Sequence, residues 1–211
     1  PHLLPAPTYR RSAGVPPAQA EEAAEERAEE LRAEWRAEEL QALRAEAEEV
    51  AGQVSVYVHD VCDTGAVEAL FEEVVKDLGG LDLMIYAAGV MPSVGRDEYN
   101  TELDLSMLEV NVSGCVAWCN PTANLFRSQR GGTIVGISSI AGARGRKGNP
   151  MYGTTKAAMD HYLEALRNRL SDYGAHVCTI KPGYVATPMT EDVEGMFWVI
   201  SAETAAKRIP R

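Results

Sequence analysis

Tyr152 and Lys156 form a Tyr-x-x-x-Lys pair, and Ser139 lies thirteen residues before the tyrosine. A spacing of four residues places the phenol and the ammonium side by side on one face of a helix. A nearby cation favours the phenolate, so a group whose pKa is ordinarily about 10 could exchange protons near neutrality. A serine hydroxyl at the end of a neighbouring strand could hold a carbonyl or alcohol oxygen beside that phenol. These residue types therefore indicate proton transfer coupled to hydride transfer.

The elements that position these residues alternate between strands and helices. Short apolar runs predict strands, and longer stretches of helical composition between them predict helices. The predicted strands are 54–58, 81–86, 133–137 and 176–180, and the predicted helices are 66–78, 103–127 and 152–173. This alternation predicts an α/β fold with a doubly wound parallel sheet, whose ligands bind beyond the carboxyl ends of the strands.

Composition and charge restrict the classes of partner. The formal net charge is −11, and residues 21–49 hold twelve Glu and four Arg, a net charge of −8. This acidity argues against nucleic acid and anionic membranes as partners. No apolar run is long enough for a membrane span, and no signal-peptide pattern opens the chain. The four cysteines lack zinc-ligand spacing, so we expect free thiols, no metal site and a cytoplasmic location. They are Cys62, Cys115, Cys119 and Cys178.

Six motifs occur in the order and at the spacing of a known family. The chain from about residue 36 to 211 resembles the short-chain dehydrogenase/reductases, which have a Rossmann-like fold. The motifs are HDVCD at 59–63, YAAG at 86–89, NVSG at 111–114, ISS ending at Ser139, YGTTK at 152–156 and KPGYVATPM at 181–189. One such motif is weak, but six in order are specific.

The resemblance implies catalytic roles for four residues. Tyr152 is the implied general acid in carbonyl reduction and the base in alcohol oxidation. Lys156 is expected to hold the nicotinamide ribose and to lower the tyrosine pKa, while Ser139 polarises the substrate oxygen. Asn111 is expected to hold a water that connects Lys156 to solvent. The neighbouring Ser138 is expected to be structural.

The resemblance also implies a nicotinamide cofactor, NAD or NADP, and the residues that would contact it. Asp60 and Val61 are expected beside the adenine, although Asp60 could instead cap a helix. Thr187 could contact the nicotinamide or serve only in a turn. Tyr86 replaces a frequent Asn of the family, and its ring could pack under the cofactor. The implied cofactor-binding residues are Asp60, Val61, Ala87, Ala88, Gly89, Tyr152, Lys156, Pro182, Gly183, Val185 and Thr187.

The largest departure from the family is at the amino terminus. The family opens with a buried strand and a glycine-rich phosphate turn, but here only Gly14 and Gly52 precede Gly65. We therefore expect 36–211 to be an incomplete dinucleotide-binding domain without the first two strands and the last. Residues 1–35 are Pro/Ala-rich and then Ala/Glu/Arg-rich, predicted to be disordered and then helical. We interpret them as the product of an out-of-frame or wrongly started gene model.

Two functions follow from this combination. The first is a nicotinamide-dependent oxidoreductase acting on a small carbonyl or secondary alcohol, assembled as a homodimer or homotetramer as in the family. The alternative is a non-catalytic relic that acts, if at all, through self-association or its acidic helix. Arg144, Arg146 and Lys147 lie in the loop before the tyrosine helix. This loop borders the substrate in the family, so its cations could favour an anionic substrate.

Overall fold

The computed structural model describes residues 41–42, 44–45, 54–95, 97–191, 193 and 195–209. The chain divides into two compact units, residues 1–59 and residues 60–211. In the first unit, residues 41, 42, 44 and 45 are helical, as their composition predicts. The rest of the acidic stretch that the sequence predicts to be helical, and the whole of segment 1–35, lies outside the described residues.

The prediction of a strand at 54–58 is wrong. Residues 54–60 have no regular secondary structure. A strand is stabilised by hydrogen bonds to a neighbouring strand, which a short apolar run cannot supply by itself. Among the described residues, no strand lies beside this segment to supply those hydrogen bonds.

The larger sheet of the second unit has three parallel strands, β1 (Leu83–Tyr86), β2 (Thr133–Ile137) and β3 (His176–Ile180), in that spatial order. A smaller parallel sheet pairs Val185–Ala186 with Ile200–Ser201. Leu83 is paired with Thr133, and Thr133 with His176, so the carboxyl ends of the strands lie at one edge. The predicted parallel sheet with intervening helices is confirmed. Strands β2 and β3 have the predicted bounds, and β1 begins two residues later than predicted.

Five helices accompany the strands in the described part of the second unit. They are α1 (Val67–Leu78), α2 (Thr101–Leu108), α3 (Gly114–Gln129), α4 (Pro150–Leu170) and α5 (Ala202–Arg208). Helices α2 and α3 are joined by one π turn, Glu109–Ser113, so they form the single long helix that the sequence predicts there. Gly79 ends α1 in the left-handed conformation with φ of 74°, which glycine adopts without steric penalty.

The core lies between the sheet and helices α3 and α4. Its buried side chains include Tyr86, Cys119, Phe126, Ile134, Leu163 and Val177. Burial alternates along β1, because successive side chains of a strand point to opposite faces. Leu83 and Ile85 point away from this core and are 50% and 54% exposed. The described residues therefore cover one face of the sheet more completely than the other.

Two further observations bear on the class of protein. Within the described ranges, no helix combines the length and apolarity that crossing a bilayer requires. All four cysteines are free thiols, as the sequence predicts.

Candidate active site

Tyr152 lies in the first turn of α4 and interacts with Ser139, which follows β2. Pro150 begins the helix with the φ angle that a helix needs, and Asn149 caps it by accepting the N–H of Tyr152 at 3.0 Å. Burial raises the pKa of the Tyr152 phenol above its ordinary value of 10, and a hydrogen bond with Ser139 opposes part of this shift. The phenol is therefore protonated at neutral pH.

Lys156 is one turn beyond Tyr152 on α4, and 5% of its surface is exposed. Its Nζ donates to the carbonyl of Ile137 at 2.9 Å and lies 5.8 Å from the centre of the Tyr152 ring. Burial lowers the pKa of Lys156, while nearby Cys115 and Asp160 raise it. The lysine was expected to lower the pKa of the tyrosine. The net shift is in the opposite direction, because burial dominates at Tyr152 and raises its pKa.

Asn111 is fully buried in the π turn between α2 and α3. Its Oδ1 accepts the N–H of Val90 at 2.8 Å, and its Nδ2 donates to the carbonyl of Val90 at 3.0 Å. The same Nδ2 donates to Oγ1 of Thr155 at 3.0 Å, whose hydroxyl donates to the carbonyl of Tyr152 at 2.8 Å. Asn111 therefore connects the segment after β1 to the helix that carries Tyr152.

Tyr86 does not occupy the position that the sequence suggested for it. Its side chain is 4% exposed and belongs to the core. Its hydroxyl donates to the carbonyl of Val110, in the π turn, at 2.6 Å. The ring therefore supports the turn that carries Asn111 and is not available to pack under a ligand.

Three residues that follow β1 were predicted to bind the cofactor. A side chain at Gly89 would place its Cβ 3.3 Å from Oδ1 of Asn111 and 3.4 Å from Nζ of Lys156. Ala88 packs against the core, and Ala87 is exposed. The structure therefore brings Gly89 together with Lys156 and Asn111.

The predicted nicotinamide-binding residues after β3 divide into two pairs. The carbonyl of Pro182 accepts the N–H of Ile140 at 3.1 Å, and Gly183 shares a cleft with Ser139, so these two lie beside the serine. Val185 lies in a two-residue strand, and its carbonyl accepts the hydroxyl of Thr190 at 2.7 Å. The N–H of Thr187 donates to the same hydroxyl at 3.3 Å, which favours the turn alternative for Thr187.

Asp60 and Val61 lie in a turn that precedes α1. The carboxylate of Asp60 accepts the N–H of Cys62 at 2.9 Å, so it stabilises a turn and does not cap the helix itself. Val61 lies against the start of α3, where a side chain at Gly114 would place its Cβ 3.1 Å from the carbonyl of Val61. Neither residue lines the cleft that contains Tyr152.

A cleft of about 580 Å³ opens beside Ser139 and Tyr152. Its walls come from the segment after β1, the turn after β2, the start of α4 and the segment after β3. Most of the side chains that line the cleft are apolar, and the lining also includes the charged Arg146. Residues that line the cleft are Met91, Pro92, Ser93, Val94, Ser139, Ile140, Ala141, Arg146, Gly148, Asn149, Tyr152, Gly153, Gly183, Tyr184, Pro188, Met189, Thr190 and Val193. A small molecule with a polar group and an apolar body fits such a cleft.

Several contacts at this site involve residues that the sequence did not single out. Thr155 is fully buried between Asn111 and the backbone of Tyr152. Asp160 forms an ion pair of 2.9 Å with Lys181, just beyond β3. A weak signal was present for both, because Thr155 precedes the lysine of the motif and Asp160 is one helical turn after it. Ser138 donates to the carbonyl of Lys156 at 3.3 Å, in keeping with its expected structural part.

The residues present fit one end of a nicotinamide dinucleotide better than the other. A Cβ at Gly89 would crowd Oδ1 of Asn111 and Nζ of Lys156, so the glycine lets the backbone after β1 lie close to the lysine. Lys156 and Tyr152 supply donors suited to ribose hydroxyls at that point. For the diphosphate, the one loop between 133 and 170 that is rich in glycine, 142–148, leads from β2 into α4 and borders the cleft beside Tyr152, so it lies on the substrate side. The segment before residue 54, where the family has its phosphate turn, lies largely outside the described residues. The fit is therefore to the nicotinamide half of the molecule.

Comparison with known proteins identifies relatives of this chain. The sequence profile of a family described as short chain dehydrogenase matches residues 11–196. An uncharacterised oxidoreductase of Staphylococcus epidermidis is 30% identical over 154 residues, which are 73% of this chain and 67% of that protein. The 3-oxoacyl-(acyl-carrier-protein) reductase FabG of Thermotoga maritima is 29% identical over 187 residues, 89% of this chain and 74% of that protein.

Solved structures resemble the fold. ElxO with NADP bound superposes with a TM-score of 0.61 and is 29% identical, over 64% of this chain and 54% of that chain. An NAD⁺-bound xylitol dehydrogenase gives a TM-score of 0.65 and 27% identity, over 71% of this chain and 58% of that chain. The chain therefore spans little more than half the length of these two structures, and its sheet and helices are Rossmann-like.

Proposed function

Because this chain belongs to the short-chain dehydrogenase family, we propose that it is a nicotinamide-dependent oxidoreductase that interconverts a carbonyl and a secondary alcohol. The observation that carries the proposal is the pair formed by Tyr152 and Ser139 on the wall of the cleft. A buried ammonium, that of Lys156, lies 5.8 Å from the ring of this tyrosine. Proton donor and hydrogen-bonding hydroxyl thus line the cleft in which a small substrate would bind, and the buried lysine lies one helical turn beyond the tyrosine.

In the proposed reaction, Ser139 and Tyr152 act on the substrate oxygen. A nicotinamide held by Lys156 and Tyr152 would supply the hydride that the carbonyl carbon gains in reduction, and would take it up in oxidation. Ser139 Oγ donates a hydrogen bond to the carbonyl oxygen, and Tyr152 Oη transfers its proton to that oxygen as negative charge develops there. The raised pKa of Tyr152 keeps the phenol protonated at neutral pH, which suits it to act as the acid in reduction.

Lys156 and Asn111 support this transfer. The Lys156 ammonium is held at the carbonyl of Ile137 and stabilises the phenolate that remains after the proton has left. Asn111 fixes the segment after β1 through Val90, and it fixes the tyrosine helix through Thr155. The positions of donor and cation are therefore set before substrate binds, which lowers the cost of reaching the transition state.

The cofactor would be NAD or NADP, since the two neighbouring structures hold one of each. Lys156 and Tyr152 would bind the ribose next to the nicotinamide, with the backbone of Gly89 close by. Pro182 and Gly183 would lie along the nicotinamide ring. Asp60 and Val61 would contact the adenine, away from the cleft that contains Tyr152. We further propose a homodimer or homotetramer and a cytoplasmic location, the latter supported by four free thiols.

The non-catalytic alternative also has an observation in its favour. The sequence has only two glycines before Gly65, neither in a phosphate turn. A chain that cannot hold the diphosphate would bind the cofactor weakly, whatever its catalytic residues.

Fluorescence titration of the purified chain with NADH and with NADPH tests the proposal. We expect binding in the micromolar range that weakens at least tenfold in Lys156→Ala. Lys207→Ala, which removes an exposed lysine from α5, is the charge-matched control and is expected to bind as the unchanged chain does. No binding at millimolar cofactor would reject the oxidoreductase and leave the relic.

A further inference from the structure

The cleft wall that follows β1 has no regular secondary structure. Residues 87–95 form neither helix nor strand, yet Met91, Pro92, Ser93 and Val94 line the cleft, as does the segment that follows β3. The position of such a segment depends on the side chains that hold it. Asn111 holds it at Val90, one residue before its cleft-lining part begins.

A second side chain, that of Asn149, holds the same segment at Pro92. Its Nδ2 donates to the carbonyl of Pro92 at 2.8 Å, across 57 residues of sequence. Its Oδ1 accepts the N–H of Tyr152 at 3.0 Å, at the start of α4. One planar amide therefore contacts both the cleft wall and the backbone of the residue proposed to donate the proton.

The chemistry of the two contacts requires an amide. The N–H of Tyr152 can only donate, and the carbonyl of Pro92 can only accept. The Asn149 side chain carries an acceptor and a donor on one short stem, and reversing the amide would oppose donor to donor and acceptor to acceptor. Aspartate at this position would still cap the helix but has no donor for the carbonyl of Pro92. Serine would also cap it, but its single hydroxyl, on a shorter side chain, would have to make both contacts.

From this geometry we infer that Asn149 is a positioning residue, which holds the substrate-facing wall at 91–94 in register with Tyr152. The two hydrogen bonds carry the claim that Asn149 holds the wall, and the expected effect on substrate turnover rests on the proposed function. Helix capping accounts for one bond only. The bond to Pro92 adds nothing to the helix, and it fixes the distance between the two walls that a substrate must contact.

Variants at Asn149 separate the two bonds. Asn149→Asp and Asn149→Ser keep the cap and remove the amide donor, whereas Asn149→Ala removes both. The matched control is Asn100, which caps α2 by accepting the N–H of Leu103 at 3.2 Å. Asn100→Asp makes the same chemical change at a cap that does not line the cleft.

For carbonyl reduction we expect Asn149→Asp and Asn149→Ser to raise KM about tenfold, which corresponds to ~1.4 kcal/mol, with kcat changed less than about twofold. The reacting groups stay in place on α4 and after β2, while the wall that orients the substrate is released. Affinity for NADH or NADPH is expected to be unchanged, because Asn111 still holds Val90. A purely structural part for Asn149 would instead lower the melting temperature without this division between KM and kcat.

Amide hydrogen exchange of the segment 89–95 provides a readout that does not need turnover. We expect exchange there to be at least tenfold faster in Asn149→Asp and unchanged in Asn100→Asp. Equal exchange in both variants would overturn the inference, whether or not the chain is active. Faster exchange with unaltered KM would also overturn it. Faster exchange in a chain that reduces no carbonyl would uphold the structural link and reject the proposed function.

Discussion

The hydroxyl of Tyr86 can be removed without changing the shape of the core, so its contribution to the stability of the π turn can be measured. Its ring is 4% exposed, and its hydroxyl donates to the carbonyl of Val110 at 2.6 Å. Tyr86→Phe removes this donor, so the carbonyl of Val110, next to Asn111 in the π turn, loses its side-chain hydrogen bond. A lost hydrogen bond with a buried acceptor left behind lowers the free energy of unfolding by about 1–2 kcal/mol.

Gly114 makes the test specific to the hydroxyl. A Cβ at position 114 would lie 2.6 Å from Oη of Tyr86 and 3.1 Å from the carbonyl of Val61. Gly114→Ala must therefore displace the hydroxyl, which costs about 1–3 kcal/mol and outweighs the gain in helix propensity of roughly 0.5–1 kcal/mol. In the Tyr86→Phe background the nearest atom is gone, so we expect the double variant to be about 1 kcal/mol more stable than additivity predicts.

Urea unfolding, followed by tryptophan fluorescence and far-ultraviolet circular dichroism, measures these differences. Tyr99→Phe is the control for loss of a hydroxyl, because Tyr99 is 93% exposed and its substitution is expected to have no effect. Additive effects of Tyr86→Phe and Gly114→Ala would refute the placement of the hydroxyl between the turn and Gly114.

Three other predictions concern the cleft and its surroundings. Arg146→Gln is expected to reduce kcat/KM for a γ-oxo acid about five- to tenfold more than kcat/KM for its methyl ester, because Arg146 lines the cleft. Arg144 does not line the cleft, so Arg144→Gln is expected to affect the acid and the ester about equally. Equal effects of the two variants on the preference for acid over ester would contradict this. Gly142→Ala would place a Cβ 2.8 Å from the backbone nitrogen of Ala157, and we expect it to lower the free energy of unfolding by about 1–3 kcal/mol in urea titration; wild-type stability would show that the turn is not packed against α4. Because burial raises the pKa of Tyr152 above 10, deprotonation of this residue should not lower the rate of carbonyl reduction below that pH, and the rate of alcohol oxidation should increase with pH. Ultraviolet titration of the unchanged chain and of Tyr152→Phe measures the pKa of this phenol. A tyrosinate that forms near pH 7 would contradict the prediction.

The strands and helices that local pattern determines were predictable from the sequence. The runs at 133–137 and 176–180 became β2 and β3 with the predicted bounds, because each is an apolar run flanked by polar or glycine residues. The run at 54–58 has equally good local signals and is not a strand. Its outcome depended on a neighbouring strand, which no local pattern records.

The site shows the same division between local and distant causes. The motif spacing predicted that Tyr152 and Lys156 share a helix face, and their residue types predicted the chemistry. Asn149 before Pro150 is a recognisable helix start. Its bond to Pro92 joins residues 57 positions apart and follows from the topology alone. The pKa of Tyr152 was predicted in the wrong direction for the same reason, since burial is a property of the folded chain.

Transfer of deuterium from a nicotinamide cofactor labelled at its transferable position to a carbonyl substrate tests the central claim most directly. The purified chain would be incubated with labelled NADH or NADPH and a panel of ketones, and the alcohols analysed by mass spectrometry. We predict one deuterium per alcohol formed, with the yield reduced at least a hundredfold in Tyr152→Phe and unchanged in Tyr99→Phe. Two results would contradict the account of this cleft as an oxidoreductase active site. One is that no ketone yields deuterated alcohol above background, and the other is that Tyr152→Phe gives the same yield as the unchanged chain.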